Sequence, residues 1–319
     1  MNNLKNEKYI NKIINSNALE FIPKLESNSI DLVLTDPPYF LDKFDDKWSP
    51  EVVENKKNLY AVKSLPAGMK FDKEQGNRLY RWFLEISKEI FRILKPGGFF
   101  LSFSSPRLYH RMASAMDDAG FMIKDCLLWI YTQNQVKAMS LNHFIQKMDI
   151  PKQEKEQLKT KLKNWKTPQI KSCFEPIAFG QKPTEGTFLL NMSNYEVGLV
   201  NTNARVGNNM FPSNVLTAES INTVMDKYFI VPKPTKEEKG FTNNHLTVKP
   251  LSLCEQLIKL LTFSKDSVVF DPFLGSGTTA IAANNLERNF IGCDINQDYI
   301  QIARQRLKKI KSQGNLFKK

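Results

Sequence analysis

Apolar, β-branched stretches alternate with amphipathic helical patterns at both ends of this chain. At each end one such stretch runs straight into a polar, turn-rich loop. Ile30-Asp31-Leu32-Val33-Leu34-Thr35 runs into Asp36-Pro37-Pro38-Tyr39, and Val268-Val269-Phe270-Asp271 runs into Pro272-Phe273-Leu274-Gly275-Ser276-Gly277-Thr278. Strand–helix alternation builds a parallel α/β sheet. An open sheet of that class binds ligands outside the carboxyl ends of its strands, where both loops lie.

The patterning predicts strands over 12–15, 30–35, 99–104, 121–131, 173–180, 267–270 and 290–293. It predicts helices over 18–25, 78–94, 108–119, 251–261, 278–286 and from 298 to about 311. Lys95-Pro96-Gly97-Gly98 reads as a helix stop. Residues 41–76 lose periodicity and read as a long functional loop. These patterns divide the chain into 1–131, one half of the core; 132–172, a basic insert; 173–181, a core strand; 182–244, inserted recognition material; and 245–319, the second half of the core.

With 41% hydrophobic and 24% charged residues among 319, the chain has globular composition and enough length to bury a core without cross-links. No apolar run approaches the ~18 residues of a membrane span, and the N-terminal residues carry no secretory pattern. The cysteines Cys126, Cys173, Cys254 and Cys293 form no C-x-x-C pair, and three histidines with no H-E-x-x-H leave no metal-site pattern. The expectation is a cytoplasmic protein with no metal. Lys plus Arg exceeds Asp plus Glu by 12 (45 against 33), a balance that fits a polyanionic partner or a generic basic surface.

Gly275 and Gly277 allow close backbone approach and positive φ at a helix start, although neither a G-x-G-x-x-G fingerprint nor a P-loop is present. One strand later Asp294 ends Ile291-Gly292-Cys293, the place where an acid holds a ribose diol. A Gly-rich loop also serves as a plain tight turn. In the other loop the prolines fix φ and leave carbonyls without neighbouring N–H donors. Asp36 and the Pro37 carbonyl are two acceptors beside the flat ring of Tyr39, which suits an exocyclic amine on a planar base; a plain turn is the alternative.

Asp36-Pro37-Pro38-Tyr39 and Phe273-Leu274-Gly275-Ser276-Gly277 resemble the two hallmark motifs of the DNA amino-methyltransferases of bacterial restriction–modification systems. Lys95-Pro96-Gly97-Gly98, Phe174-Glu175-Pro176-Ile177 and His245-Leu246-Thr247-Val248-Lys249-Pro250 resemble lesser motifs, with Leu246 where the family has proline. The motif order is similar to that of the beta subgroup, and the resemblance covers residues 10–131, 173–181 and 245–311. It implies a Rossmann-like, circularly permuted, mostly parallel seven-stranded α/β sheet with an inserted recognition region. It also implies S-adenosylmethionine as cofactor, held by Asn17, Asp36, His245, Thr247, Lys249, Asp271, Phe273, Gly275, Ser276, Gly277, Thr278 and Asp294. Asn17 stands where the family commonly has Asp, and its carbonyl oxygen can still accept a hydrogen bond.

The activity so implied is site-specific adenine-N6 methylation of double-stranded DNA. The target base is flipped into a pocket made by Asp36, Pro37, Pro38 and Tyr39. Asp in the first position leans toward adenine. The alternatives are cytosine-N4 methylation, RNA or protein amide methylation, and a nucleic-acid-binding protein with an inactive core. The resemblance further admits a homodimer and a cognate restriction endonuclease as partners. Lys152, Lys155, Lys159, Lys163 and Lys166 fall at helical spacing and form a candidate DNA-contacting stripe, with a solvated helix face as the alternative. Arg205, Asn208, Asn209 and Asn214 are candidate base-edge readers.

Overall fold

A computed structural model of the chain describes residues 6–39, 73–131, 138–168, 172–205, 213–217, 229–230, 234 and 248–316. In chain order the elements are β1 (Lys12–Asn15), α1 (Ala18–Phe21), β2 (Ile30–Thr35), α2 (Lys73–Ile93), β3 (Leu94–Phe103), α3 (Tyr109–Asp118), β4 (Met122–Ile130), α4 (Asn142–Gln146) and α5 (Lys152–Lys161). They continue with β5 (Phe174–Gln181), α6 (Phe188–Tyr195), β6 (Val215–Thr217), β7 (Phe229–Ile230), α7 (Leu251–Leu261), β8 (Val268–Asp271), α8 (Thr278–Asn285), β9 (Asn289–Asp294) and α9 (Gln297–Leu316).

The strands form one sheet in the order β1-β9-β8-β2-β3-β5-β4-β6-β7. All neighbours are parallel except β5, which runs antiparallel to both β3 and β4. The expected seven strands are the first seven of this order; β6 and β7 extend the sheet by two short strands from the stretch 182–244. The permutation is visible in the pairing: β8, late in the chain, lies directly against β2, with Leu32 opposite Val269 and Val33 opposite Phe270. The carboxyl ends of β2 and β8 are therefore neighbours.

Period-two alternation divides the apolar side chains between two layers. On β2, Leu32 and Leu34 join one buried cluster with Leu253 and Leu257 of α7, Ile281 of α8 and Ile300 of α9. Val33 faces the opposite cluster, with Phe83, Ile86 and Ile90 of α2 and Met112 and Met116 of α3. The acid inside this strand, Asp31, is buried. It accepts hydrogen bonds from Lys95 Nζ at 2.9 Å and from the Val268 backbone N–H at 2.8 Å, tying β2 to β3 and β8. Burial raises its pKa above the usual carboxylate value, and the Lys95 ammonium pulls it back.

Some element bounds differ from the expectations for identifiable reasons. The first helix tightens to a 3-10 turn at Ile22–Lys24, where Pro23 removes a donor. The helix expected from residue 78 starts at Lys73 and includes Gly76. Its stop is at Ile93, because Leu94 already pairs with Ile30; the register shift before Leu32 meets Phe99 leaves Lys95-Pro96-Gly97-Gly98 as an irregularity inside β3. Gly97 has φ 79°, and a Cβ there would stand 2.5 Å from Asn191 Nδ2. Helix α6, which the patterning does not predict, turns Phe188, Leu189 and Leu190 outward; its fully buried residue is polar, and Tyr195 packs partly buried on the core. Asn191 donates to the Pro96 carbonyl at 3.0 Å and the Val197 carbonyl at 2.8 Å. The segment expected as a long loop falls, over 40–72, outside the described residues. Among the described residues no helix is long and apolar enough to cross a membrane.

Candidate active site

The loops after β2 and β8 meet through side chains. Thr35, the last residue of β2, donates its hydroxyl to Asp271 Oδ1 at 2.7 Å, and the Phe273 N–H donates to the same oxygen at 3.0 Å. Asp271 ends β8 and is buried. Burial pushes its pKa up to about 7, and these donors act in the opposite direction.

One residue past Thr35, Asp36 is partly buried, and both of its carboxylate oxygens have donors. Tyr39 Oη donates to Oδ1, and Lys249 Nζ donates to Oδ2. Pro37, next in sequence after Asp36, is buried, while Pro38 and Tyr39 remain partly accessible. Lys249 Nζ also lies 3.3 Å from Glu175 Oε2 on β5 and 4.9 Å from the centroid of the Phe103 ring on β3. Burial opposes the Lys249 charge, but the Asp36 and Glu175 carboxylates outweigh it and hold the ammonium above the usual lysine pKa. Burial, then the Asp36 and Glu175 charges, raises the Tyr39 phenol well above its ordinary value.

The second loop folds over Asp294. Gly275 has φ 52°, and its N–H donates to Asp294 Oδ2 at 2.7 Å; the Asn296 N–H donates to Oδ1 at 2.8 Å. Burial raises the Asp294 pKa, and the two N–H groups lower it. Gly277 has φ 90°, and a Cβ on it would stand 2.8 Å from Ala303 Cβ, so the turn into α8 requires glycine. Each Asp294 oxygen accepts one backbone N–H and has capacity for another donor. Beside it, the buried Asp271 carboxyl complements a cationic group. A ribose diol on the first acid and a cation near the second match the donor and charge pattern of S-adenosylmethionine, so these residues fit that cofactor.

The remaining candidates are placed less directly. Asn17 Oδ1 caps α1 by accepting from the Leu19 N–H at 3.0 Å; the expected acceptor thus already has a local donor. Asn17 follows β1 by two residues, and the last residue of β1, Asn15, pairs with Asp294. Arg306 Nη1 of α9 donates to the Ser276 and Thr278 hydroxyl oxygens at 3.0 and 3.4 Å and to the Ser276 carbonyl at 2.6 Å. Phe273 packs on Trp82 of α2, with ring centroids 5.4 Å apart. His245 and Thr247 lie outside the described residues, as do Asn208 and Asn209. Asn214 donates to Asp125 Oδ1 at 3.2 Å. Arg205 is exposed.

The lysine stripe does not survive as one helix face. Helix α5 ends at Lys161, so only Lys152, Lys155 and Lys159 share it; Lys163 and Lys166 follow its end, and Lys166 forms a bridge with Ser140. Lys155 Nζ donates to the Gln146 carbonyl at 3.1 Å, and Lys159 pairs with Glu156 at 2.6 Å. Lys152, Lys163 and Lys166 are exposed. The sequence assigns no role to Thr35, Glu175 or Arg306. Glu175 lies within the Phe174–Ile177 motif, but the parts of all three depend on cross-sheet and helix–loop contacts.

The "DNA methylase" family model for N6 and N4 methyltransferases matches residues 30–305. The Type II methyltransferase M.HindIII of Haemophilus influenzae is 32% identical over 315 residues, covering 93% of this chain and 95% of that protein. M.HpaI of Haemophilus parainfluenzae is 27% identical, covering 93% and 74%. Among solved structures, the PvuII DNA methyltransferase (cytosine-N4-specific) matches with a TM-score of 0.55 at 17% identity, covering 92% of this chain and 84% of that one. A DNA modification methylase of Thermus thermophilus, complexed with S-adenosyl-L-methionine and described as putative, matches with a TM-score of 0.51 at 17% identity, covering 93% of each. The strand-end loops, the cradle over Asp294 and these similarities agree: the chain belongs to the DNA methylase family, the S-adenosylmethionine-dependent N6/N4 methyltransferases of restriction–modification systems.

Proposed function

We propose that this DNA methyltransferase acts on adenine N6 at a specific site in double-stranded DNA, with the base turned out of the helix into the loop Asp36–Tyr39. The observation that carries the reading is the meeting of the two loops. Asp36 follows Thr35, and Thr35 is bonded to Asp271 at the head of the glycine loop. An amine held on Asp36 is thereby brought beside a methyl donor held over Asp294 and Asp271.

S-adenosylmethionine, when bound, supplies an electrophilic methyl group. Adenine N6 is a weak nucleophile because its lone pair is delocalised into the ring. Asp36 and the Pro37 carbonyl accept its two N–H groups and favour a more tetrahedral nitrogen. The proton that the amine gives up on gaining the methyl group would pass through Asp36 to solvent. Positioning and fixed negative charge provide the acceleration. Tyr39 supplies the stacking face. Cytosine N4 offers the same donor geometry, and the similarity in fold to a cytosine-N4-specific enzyme keeps it as the second reading. Asp36 in the first motif position favours adenine. Under this reading the enzyme works in the cytoplasm alongside an endonuclease of the same specificity. Single-molecule sequencing of DNA from cells expressing the chain tests the reading: modified adenine in one recurring motif supports it, and modified cytosine replaces it with the second.

Two results bear on binding. Asp294→Ala is expected to weaken S-adenosylmethionine binding by about 1–3 kcal/mol through lost charged hydrogen bonds; an unchanged dissociation constant in calorimetry refutes the ribose role. Neutralising Lys152, Lys163 and Lys166, the exposed members of the lysine set, is expected to reduce the log–log salt slope of DNA binding by about 0.9 for each phosphate left without its cation. An unchanged slope assigns them to ordinary solvated surface.

A further inference from the structure

Asp36 is the acceptor on which the proposed reaction turns, and each of its oxygens accepts one side-chain donor, the Tyr39 hydroxyl on Oδ1 and the Lys249 ammonium on Oδ2. Its two donors are held very differently. Tyr39 sits three residues away on the same loop, partly accessible, and its hydroxyl donates to Asp36 Oδ1. That bond is internal to the loop, and the Tyr39 ring packs partly buried against the cluster of Val33 and Phe83. Lys249 is buried immediately before α7, with Val248 and Pro250 buried on either side. Its ammonium is shared between Asp36 Oδ2 and Glu175 on β5 and lies over the Phe103 ring on β3. The ammonium is thus fixed from two further strands.

The terminal torsion of an aspartate is soft, so a carboxylate with one movable partner takes many orientations. A buried cation on one oxygen removes that freedom and leaves the other oxygen as the exchangeable position. Glu175 supplies a second carboxylate, so the ammonium need not follow Asp36 if that side chain shifts. We propose that Lys249, anchored by Glu175, is a positioning residue that sets the Asp36 carboxylate with Oδ1 toward the target base, and that the Tyr39 hydroxyl occupies Oδ1 as a stand-in donor until the substrate amine displaces it. The exchange conserves the hydrogen-bond count on Asp36: an O–H donor leaves Oδ1, an N–H donor replaces it, and the freed Tyr39 ring turns to the base face. This rests on the reading of Asp36 as the amine acceptor.

The test is single-turnover and steady-state methylation of DNA carrying the recognition site by the full chain, at saturating S-adenosylmethionine. Tyr39→Phe keeps the stacking ring and removes the competing donor, so kcat/KM for DNA is expected to rise about tenfold, the weight of one hydrogen bond to a charged group. Lys249→Met is expected to lower the single-turnover rate about 100-fold, the cost of a misplaced reacting group, with the half-saturating DNA concentration little changed. Lys249→Arg, whose fork spans two carboxylates, is expected to recover at least about a tenth of the parent rate. Melting curves on each variant separate misfolding from misorientation, and Lys249→Arg carries the test if Lys249→Met does not fold. A Tyr39→Phe variant with lowered kcat/KM, or lysine variants whose defect lies in KM alone, overturns the exchange. Asp36→Ala, run in parallel, keeps the two readings apart. An active Asp36→Ala overturns the site itself, whereas an inactive Asp36→Ala beside a slowed Tyr39→Phe overturns only the exchange.

Discussion

Asp36→Ala is expected to lose about 100- to 1,000-fold in single-turnover methylation, the range seen when one preorganised electrostatic partner is removed from a reaction site. Its affinity for S-adenosylmethionine is expected to stay close to that of the parent. The separation follows from the geometry. Asp36 binds Tyr39 and Lys249, while the glycine loop is organised by Asp294 and by Asp271 with Thr35. An interaction realised mainly in the transition state lowers the rate without weakening cofactor binding. The fold is expected to persist, because Lys249 retains Glu175 as a counter-charge at 3.3 Å. Asp36→Asn keeps one acceptor without the charge and is expected to fall between parent and alanine. If Asp36 only shaped a turn, the alanine variant would melt early and still methylate. Melting and single-turnover kinetics on one preparation decide between these.

The second large effect is structural. Lys95→Met is expected to destabilise the fold by about 3–5 kcal/mol near neutral pH, because it leaves a buried carboxylate without its cation. Asp31 is 1% exposed and lies where β2, β3 and β8 meet; Lys95 is its ion-pair partner at 2.9 Å. The sign of the pH dependence is fixed by the same ion pair. Burial already raises the Asp31 pKa, and loss of Lys95 raises it further. A carboxyl whose folded pKa is raised favours the fold while protonated, and that contribution is lost as pH rises through the folded value. The Lys95→Met deficit is therefore expected to shrink toward acid and grow toward alkaline pH in denaturant titrations. Adding Asp31→Asn is expected to recover part of it, since no buried charge then lacks a partner. Equal deficits at pH 5 and pH 8 would contradict this linkage.

Much of the sheet was legible because its strands follow the patterns that burial imposes. Residues 12–15 and 30–35 and the helix 251–261 fall on the expected bounds, each bracketed by turn chemistry or a proline. The two loops were legible for the same reason: a strand, a run of prolines or glycines, and an acid are adjacent in sequence. What escaped depends on pairings distant in sequence. Helix α6 is fixed by buried Asn191 through contacts distant in sequence, and its first-turn apolar residues Phe188, Leu189 and Leu190 are exposed. The run of lysines at helical spacing gives no warning that the helix stops at Lys161. The motif around Lys249 marks it as a cofactor residue, yet its ammonium meets Asp36, 213 residues away, and Glu175. Only the antiparallel insertion of β5 between β3 and β4 brings that second carboxylate to the site.

The central claim is that Asp36 presents a DNA adenine amine to the methyl donor. It is tested most directly by incubating the full chain with methyl-labelled S-adenosylmethionine and duplex DNA, digesting the DNA to nucleosides and identifying the labelled one. The expected result is label in N6-methyladenine with the parent chain and its near-complete loss with Asp36→Ala. Label in N4-methylcytosine, or undiminished labelling by the alanine variant, would contradict it.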